Sequence, residues 1–209
     1  MIDYDEKYEL YRRHHNIWLV PLIPNGTKVL DVGCGGGRLG AVLQQEKGCT
    51  VYGVDISAAA VAEARTVLYA SAQMDVAHDS FPFAGERFDV VIFSDVLEHL
   101  LDPEGAVNRF WPCLGENGVM IASLPNVANI SIRLRLLLGQ WNYTRSGLLD
   151  YGHVRFYTLA TMRQLWRRCG LQILRQEAAP RFNLPRLTRW WPTLLANQFM
   201  FVLKPEAKT

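Results

Sequence analysis

Short apolar runs recur along the chain, each stopped by glycine or aspartate and followed by a stretch of helical periodicity. Residues 28–32 (KVLDV), 50–54 (TVYGV), 88–93 (FDVVIF) and 118–124 (GVMIASL) have the unbroken hydrophobicity of strands buried on both faces of a parallel sheet. Between them, residues 38–47 read as a helix closed by Gly48. Ser57 is placed to N-cap a second helix over 58–69, and Asp102 a third, with Pro103 where its missing N–H costs nothing. Thr158 opens a fourth over 159–169, ended by Gly170. Strand–helix alternation of this kind predicts a doubly wound α/β sheet. The end of the chain breaks the rhythm. Residues 171–176 and 198–204 read as two strands with no helix between them, hence an antiparallel pair at one edge. The 32 residues from 126 to 157 separate a strand from a helix and read as a lid over a substrate, with an amphipathic helix at 130–138.

Composition narrows the class. The chain has 209 residues, 49% hydrophobic and 20% charged, which suits one globular domain over 1–209. No apolar stretch is long enough to span a bilayer, and the polar, acidic start resembles no secretory signal. The four cysteines stand far apart, which argues against both a zinc site and a disulfide framework, and no metal is expected. A reducing, cytoplasmic compartment is expected. The net charge of +2 hides an imbalance: residues 1–129 carry 9 basic and 17 acidic side chains, residues 130–209 carry 13 and 3. Either the C-terminal part meets something anionic, or its arginines cover apolar surface and pair with the acidic part. Nucleic acid is a poor fit, because half the molecule is acidic.

The first strand runs into Asp31-Val-Gly33-Cys34-Gly35-Gly36-Gly37 and then a helix. Glycines there let the backbone turn tightly, and a helix N-terminus offers unpaired N–H groups to a ligand. Asp55 ends the second strand 20 residues after Gly35, where a carboxylate can accept from a ribose diol. An adenosine-type cofactor at the carboxyl edge of the sheet follows. The segment from Gly35 to Gly40 also satisfies GxGxxG, the nicotinamide and flavin pattern. The wider sequence points elsewhere. VLDVGCGGGRLG, VYGVDIS, FDVVIFSDVLEHL and LGENGVMIASLPN, in that order, closely resemble the class I S-adenosyl-L-methionine (SAM) methyltransferases over roughly residues 25–125. The resemblance implies a seven-stranded, mostly parallel, Rossmann-like sheet. It implies that Asp31 and the 33–37 loop, Cys34 included, hold the methionine half of SAM. Asp55 would take the ribose hydroxyls, Ile56 the adenine face, and Asp75 with Val76 the adenine edge. Met74 stands where the family commonly has glycine, which keeps Asp79 open as the adenine contact. Ser94 and Asp95 would lie beside the sulfonium.

Methyl transfer needs in-line placement first, and a general base when the nucleophile is a hydroxyl. His99 in DVLEHL is one candidate base and Glu98 on the same turn reads as structural or solvent-facing. The segment LLDYGHVRFYT resembles a stretch of a methyltransferase subgroup often found in bacterial polysaccharide and natural-product pathways. There His153 is the other candidate base, oriented by Asp150, while Arg155 could grip a carboxylate or phosphate. All three could equally be hydrogen-bonded for structure. Asn126 is a further substrate-side polar group. His14 and His15 sit in an N-terminal helical pattern (1–24) with Tyr4, Tyr8 and Tyr11, read as packing or as a closure over the cofactor. The loop 181–191, with Arg186, Arg189, Trp190 and Trp191, is read chiefly as a tucked aromatic plug, with peripheral membrane contact as the alternative. The expected activity is O-methylation of a small or medium-sized hydroxylated acceptor, a saccharide, nucleotide-linked sugar or polyketide-like natural product, with an anionic group on it left open. A methionine-biosynthesis-type relative, a silent SAM-binding module and an NAD-dependent oxidoreductase stay open beside it.

Overall fold

The computed structural model describes residues 4–12, 15–180 and 185–206. Its sheet has seven strands: β1 (Lys28–Val32), β2 (Thr50–Asp55), β3 (Ala70–Gln73), β4 (Phe88–Ser94), β5 (Leu114–Pro125), β6 (Leu171–Pro180) and β7 (Ala196–Pro205). The order across the sheet is β3-β2-β1-β4-β5-β7-β6. Strands β1 to β5 pair in parallel, and β7 runs antiparallel to both β5 and β6. The order reverses between β1 and β4, so the carboxyl ends of those strands open a crevice at the switch point.

Helices α1 (Tyr4–Tyr11), α2 (Arg38–Lys47), α3 (Ala58–Ala64), α4 (Pro103–Phe110), α5 (Ile130–Leu137) and α6 (Leu159–Arg168) lead to two short helices, α7 (Pro185–Trp190) and α8 (Pro192–Leu195). The capping chemistry read from sequence is present. Ser57 accepts from Ala60 N, Asp102 from Gly105 N, and Thr158 forms a reciprocal cap with Thr161. Gly48 closes α2 in the left-handed conformation. Helix α3 is shorter than its sequence pattern: it ends at Ala64, and residues 65–68 turn down so that Leu68 packs under the sheet.

Two apolar layers hold the sheet. One gathers Phe88, Phe93, Phe110, Trp166, Phe199 and Phe201 beneath α4 and α6. The other joins Leu19, Ile23, Leu39, Leu43 and Leu68 to Val29, Val51 and Ile92. Side chains of this size stabilise by about 1.5–3 kcal/mol each when fully buried. The four cysteines are buried free thiols. Among the described residues no helix is long and apolar enough to cross a membrane. Trp190 and Trp191 are 80% and 60% exposed, so these two side chains are not tucked in as expected; residues 181–184 of that loop, like His14, lie outside the described residues.

Candidate active site

One cavity of about 1560 Å³ opens at the carboxyl ends of β1, β2 and β4. A single ligand usually takes roughly 300–1,000 Å³, so this space suits two ligands side by side. Its walls come from two sources: loops that leave the sheet, and a cover made by α1 and the 126–157 segment.

The loop side follows directly from glycine. Gly33, Gly35 and Gly37 all have positive φ, and a Cβ on Gly33 would overlap the Val96 side chain. Gly35 N–H donates to Asp55 Oδ2 at 2.8 Å, and Ser57 N–H to Asp55 Oδ1 at 2.9 Å, so the second strand's carboxylate closes the first strand's loop. Asp31 is buried and its Oδ1 has no hydrogen-bond partner. Burial, with the Asp55 charge added, pushes its carboxyl up to about 7. Such an acceptor is made for a cationic donor. Cys34, Ile56, Asp75, Val76 and Ser94 line the same space. Asp79 does not: its carboxylate accepts from Asp75 N–H at 2.8 Å and is spent in that turn. Asp95, at φ 55°, is half-buried, lines the same space and accepts from Ser123 and Asn16.

The cover side is assembled from distant parts of the chain. Lys7 of α1 pairs with Asp150 at 3.3 Å, with both side chains nearly enclosed. Tyr11 donates to the other oxygen of Asp150, and Gly152 N–H to the first at 2.6 Å. Tyr8 donates to Glu63 of α3 at 2.7 Å, passing over Gly36. Helix α1 therefore spans the glycine loop and is tied at both ends.

Beneath it lie Glu98, His99 and His153. The backbone N–H groups of Val154 and Arg155 both donate to the Glu98 carbonyl at 3.0 Å, which clamps the two stretches together. His99 Nδ1 lies 2.8 Å from Gly152 O and His153 Nδ1 lies 3.3 Å from Leu148 O. A ring proton on each Nδ1 would satisfy these carbonyls and leave Nε2 with a lone pair; Lys7 Nζ also stands 3.3 Å from His99 Nδ1. The rings meet edge-on at 4.8 Å. Burial, reinforced by the Lys7 charge, brings His99 down to about 4, and burial lowers His153 as well. Burial raises Glu98, with Asp95 adding to the effect. Both shifts favour the neutral imidazole.

Four expectations need correction. The Asp150 carboxylate makes no hydrogen bond to the His153 ring; its oxygens are occupied by Lys7, Tyr11 and Gly152, and only its backbone carbonyl accepts from His153 N–H. Glu98 is 1% exposed, far from solvent-facing, because its turn is covered by residues 152–155. The Arg155 guanidinium donates to Leu101 O and lines a separate 230 Å³ cleft with Asp102, Glu104 and Arg168. Asn126 is fully enclosed, its amide N–H groups donating to the Thr193 and Ala196 carbonyls and its oxygen accepting from Ala128 N–H. Lys7 and Tyr11, which the sequence did not single out for chemistry, are the residues that hold Asp150. Only the tyrosine spacing in α1 hinted at them.

Comparison with known proteins agrees with this geometry. Residues 3–176 match the family model described as a methyltransferase domain. A ubiquinone biosynthesis O-methyltransferase from Azoarcus sp. is 32% identical over 157 residues, covering 71% of this chain and 66% of the relative. One from Cereibacter sphaeroides is 29% identical, covering 72% and 62%. The chain thus spans a little under two thirds of the length of these curated relatives. Among solved structures, the CcbJ methyltransferase from Streptomyces caelestis superposes with a TM-score of 0.67 at 15% identity, covering 97% of each chain, a likeness of fold. The cofactor of the family is SAM, and the residues present fit it: a buried carboxylate oxygen without a partner at Asp31, a loop with no room for a Cβ at Gly33, Gly36 or Gly37, and Asp55 at the end of β2. With its reversing parallel sheet, its glycine loop and its family match, the chain belongs to the class I SAM-dependent methyltransferases.

Proposed function

We propose that the chain is an O-methyltransferase acting on a small hydroxylated acceptor, with residues 126–157 and α1 as its lid. The observation that carries this reading is that the glycine loop and the Glu98–His99–His153 group open onto one cavity with room for two ligands. When bound, SAM supplies an electrophilic methyl group on a sulfonium. Asp31 and the 33–37 loop would hold its amino acid part, Asp55 its ribose, and Ile56, Asp75 and Val76 its adenine. On the cover side, neutral imidazoles at His99 and His153 present lone pairs where an acceptor hydroxyl would be oriented and relieved of its proton. The lid excludes water and fixes the approach, which can supply about 7–11 kcal/mol of barrier lowering.

The wall next to the imidazoles includes Leu100, Ile132, Leu148 and Leu149. Together with the O-methyltransferase relatives, that apolar wall favours a phenolic acceptor over a saccharide. Arg155, turned to its own cleft, gives no support to an anionic one. Two measurements test the proposal. Melting should shift upward with S-adenosylhomocysteine and not with NAD; ligand at a hundredfold its dissociation constant adds about 2.7 kcal/mol. Label from methyl-tritiated SAM should then pass to simple phenols and catechols and not to free sugars. A shift with NAD alone would return the glycine loop to a dehydrogenase, and transfer to sugars alone would reverse the acceptor assignment.

A further inference from the structure

Six enclosed side-chain atoms among the described residues have no hydrogen-bond partner, and four of them belong to residues that line the large cavity: Asp31, Glu98, Asn197 and Gln198. Enclosed polar atoms are nearly always paired, so unpaired ones gathered at a cavity point to a ligand that completes them. On the proposed reading Asp31 meets the cofactor's ammonium, and Glu98 stands at the reacting end of the acceptor. Asn197 Oδ1 and Gln198 Nε2 have no part in either. Their place in the sheet is unusual. Strand β7 runs antiparallel to β5, which brings its first residues to the carboxyl edge where the cavity opens, with Gln198 opposite Pro125. Neighbours on a regular strand face opposite sides. Here Pro180 pairs with Ala196 and Ala179 with Gln198, so Asn197 is the extra residue of a bulge, the device that turns a side chain off the alternation. Two consecutive amides thus share one cavity wall. The lid is rooted at the same point: Asn197 O accepts from Asn126 N–H at 2.7 Å, and the Asn126 and Asn129 side chains both donate to Ala196 O. Strands β4 and β5 separate β7 from β1, so the pair stands away from the glycine loop, on the acceptor's side.

We propose that Asn197 and Gln198 form an acceptor-recognition subsite for a second, uncharged polar group, a hydroxyl or a primary carboxamide, carried by the acceptor besides the hydroxyl that is methylated. The chemistry follows from what is unmet: one acceptor and one donor, with no net charge. A hydroxyl donates to Asn197 Oδ1 and accepts from Gln198 Nε2 at once, and a carboxamide does the same with two atoms. An ether or ketone only accepts, which leaves Asn197 Oδ1 without a donor. A carboxylate would face that oxygen with like charge, and an ammonium would face the Gln198 N–H in the same way. A site built on such hydrogen bonds rejects analogues that lack them more strongly than an apolar wall does. This subsite deepens the O-methyltransferase reading and rests on it.

The test is acceptor discrimination by the full chain supplied with methyl-tritiated SAM. Hydroquinone, resorcinol and dihydroxybiphenyl are compared with their monomethyl ethers, and para-hydroxybenzamide with para-hydroxybenzoate. After the statistical factor for two equivalent hydroxyls, the best hydroxyl probe should exceed its ether, and the carboxamide its carboxylate, by about tenfold or more in kcat/KM. Gln198→Leu and Asn197→Leu should each bring that ratio below about threefold, through KM, with the melting shift from S-adenosylhomocysteine retained as proof of fold. A side chain that merely tied down the lid would lower every probe alike and leave the ratio standing. Equal use of hydroxyl and ether probes by the wild type, or preference for the carboxylate, overturns the subsite and requires no variant to fold. So does a preference that survives both substitutions. The same pairs are titrated by calorimetry into the chain loaded with S-adenosylhomocysteine, which reads the subsite without methyl transfer. Discrimination in binding without transfer to any phenol keeps the subsite and overturns the O-methyltransferase reading. Transfer without discrimination does the reverse.

Discussion

The two sides of the cavity are built by opposite means. The loop side uses residues close in sequence: Asp31, Gly33 and Gly35 on one turn, and Asp55 on the adjacent strand, joined through a backbone N–H. The cover side uses Lys7, Tyr11, Glu98, His99, Asp150 and His153, drawn from three stretches that meet only in the folded chain. On the loop side, backbone conformation is the constraint. On the cover side it is buried charge. Substitutions on the two sides should therefore fail differently, the first losing cofactor and the second losing acceptor.

The largest separation is expected from Gly33→Val. Positive φ and the overlap with Val96 force the loop open, and the melting shift from S-adenosylhomocysteine should vanish, a change in dissociation constant above 100-fold. Retention of that shift would remove the loop from cofactor binding. Next is Lys7→Met. It leaves the enclosed Asp150 carboxylate with only Tyr11 and Gly152 as donors. Breaking an enclosed pair costs about 3–5 kcal/mol, and the remaining donors should bring this to about 2. Its diagnostic is a raised KM for acceptor with cofactor affinity within threefold. Equal loss of both would erase the distinction drawn here.

A pH titration sharpens it further. Asp31 is raised to about 7 in the folded, ligand-free chain, so the folded state holds a proton that the unfolded state has released above about pH 4. Stability of the free chain should fall as pH rises from about 4 to about 7, and Asp31→Asn should flatten that slope. A cationic ammonium bound at Asp31 requires the carboxylate, so affinity for S-adenosylhomocysteine should rise up to about tenfold per unit as pH climbs toward 7. Calorimetry at three pH values reads it. The smallest effect is Tyr8→Phe, which removes one hydrogen bond between α1 and Glu63 and should cost about 1 kcal/mol by chemical denaturation.

The same contrast explains what could be read in advance. Alternating strands and helices, the caps at Ser57, Asp102 and Thr158, and the antiparallel final strands are written in local pattern, and the fold carries them. The glycine loop is equally local, since positive φ at Gly33, Gly35 and Gly37 is a property of the residue itself. His99 and His153 were found as residues but their partners were not. Asp150 lies three positions before His153, yet the turn between them directs its carboxylate to Lys7, more than 140 residues away. Glu98 read as structural or solvent-facing; its burial goes with a distant stretch, whose Val154 and Arg155 N–H groups donate to its carbonyl. Asn126 was misread because a polar residue at a strand end looks the same whether it faces a ligand or ties down a loop.

Helix α1, tied to α3 through Tyr8 and to residue 150 through Lys7 and Tyr11, crosses the glycine loop on its way. A strap in that position imposes a sequence of events on each catalytic cycle. On the proposed reading, the nucleoside is seated before the strap closes and the acceptor pocket is completed only afterwards. Steady-state kinetics should accordingly be ordered, with SAM first on and S-adenosylhomocysteine last off, and strap opening should be the step that limits turnover.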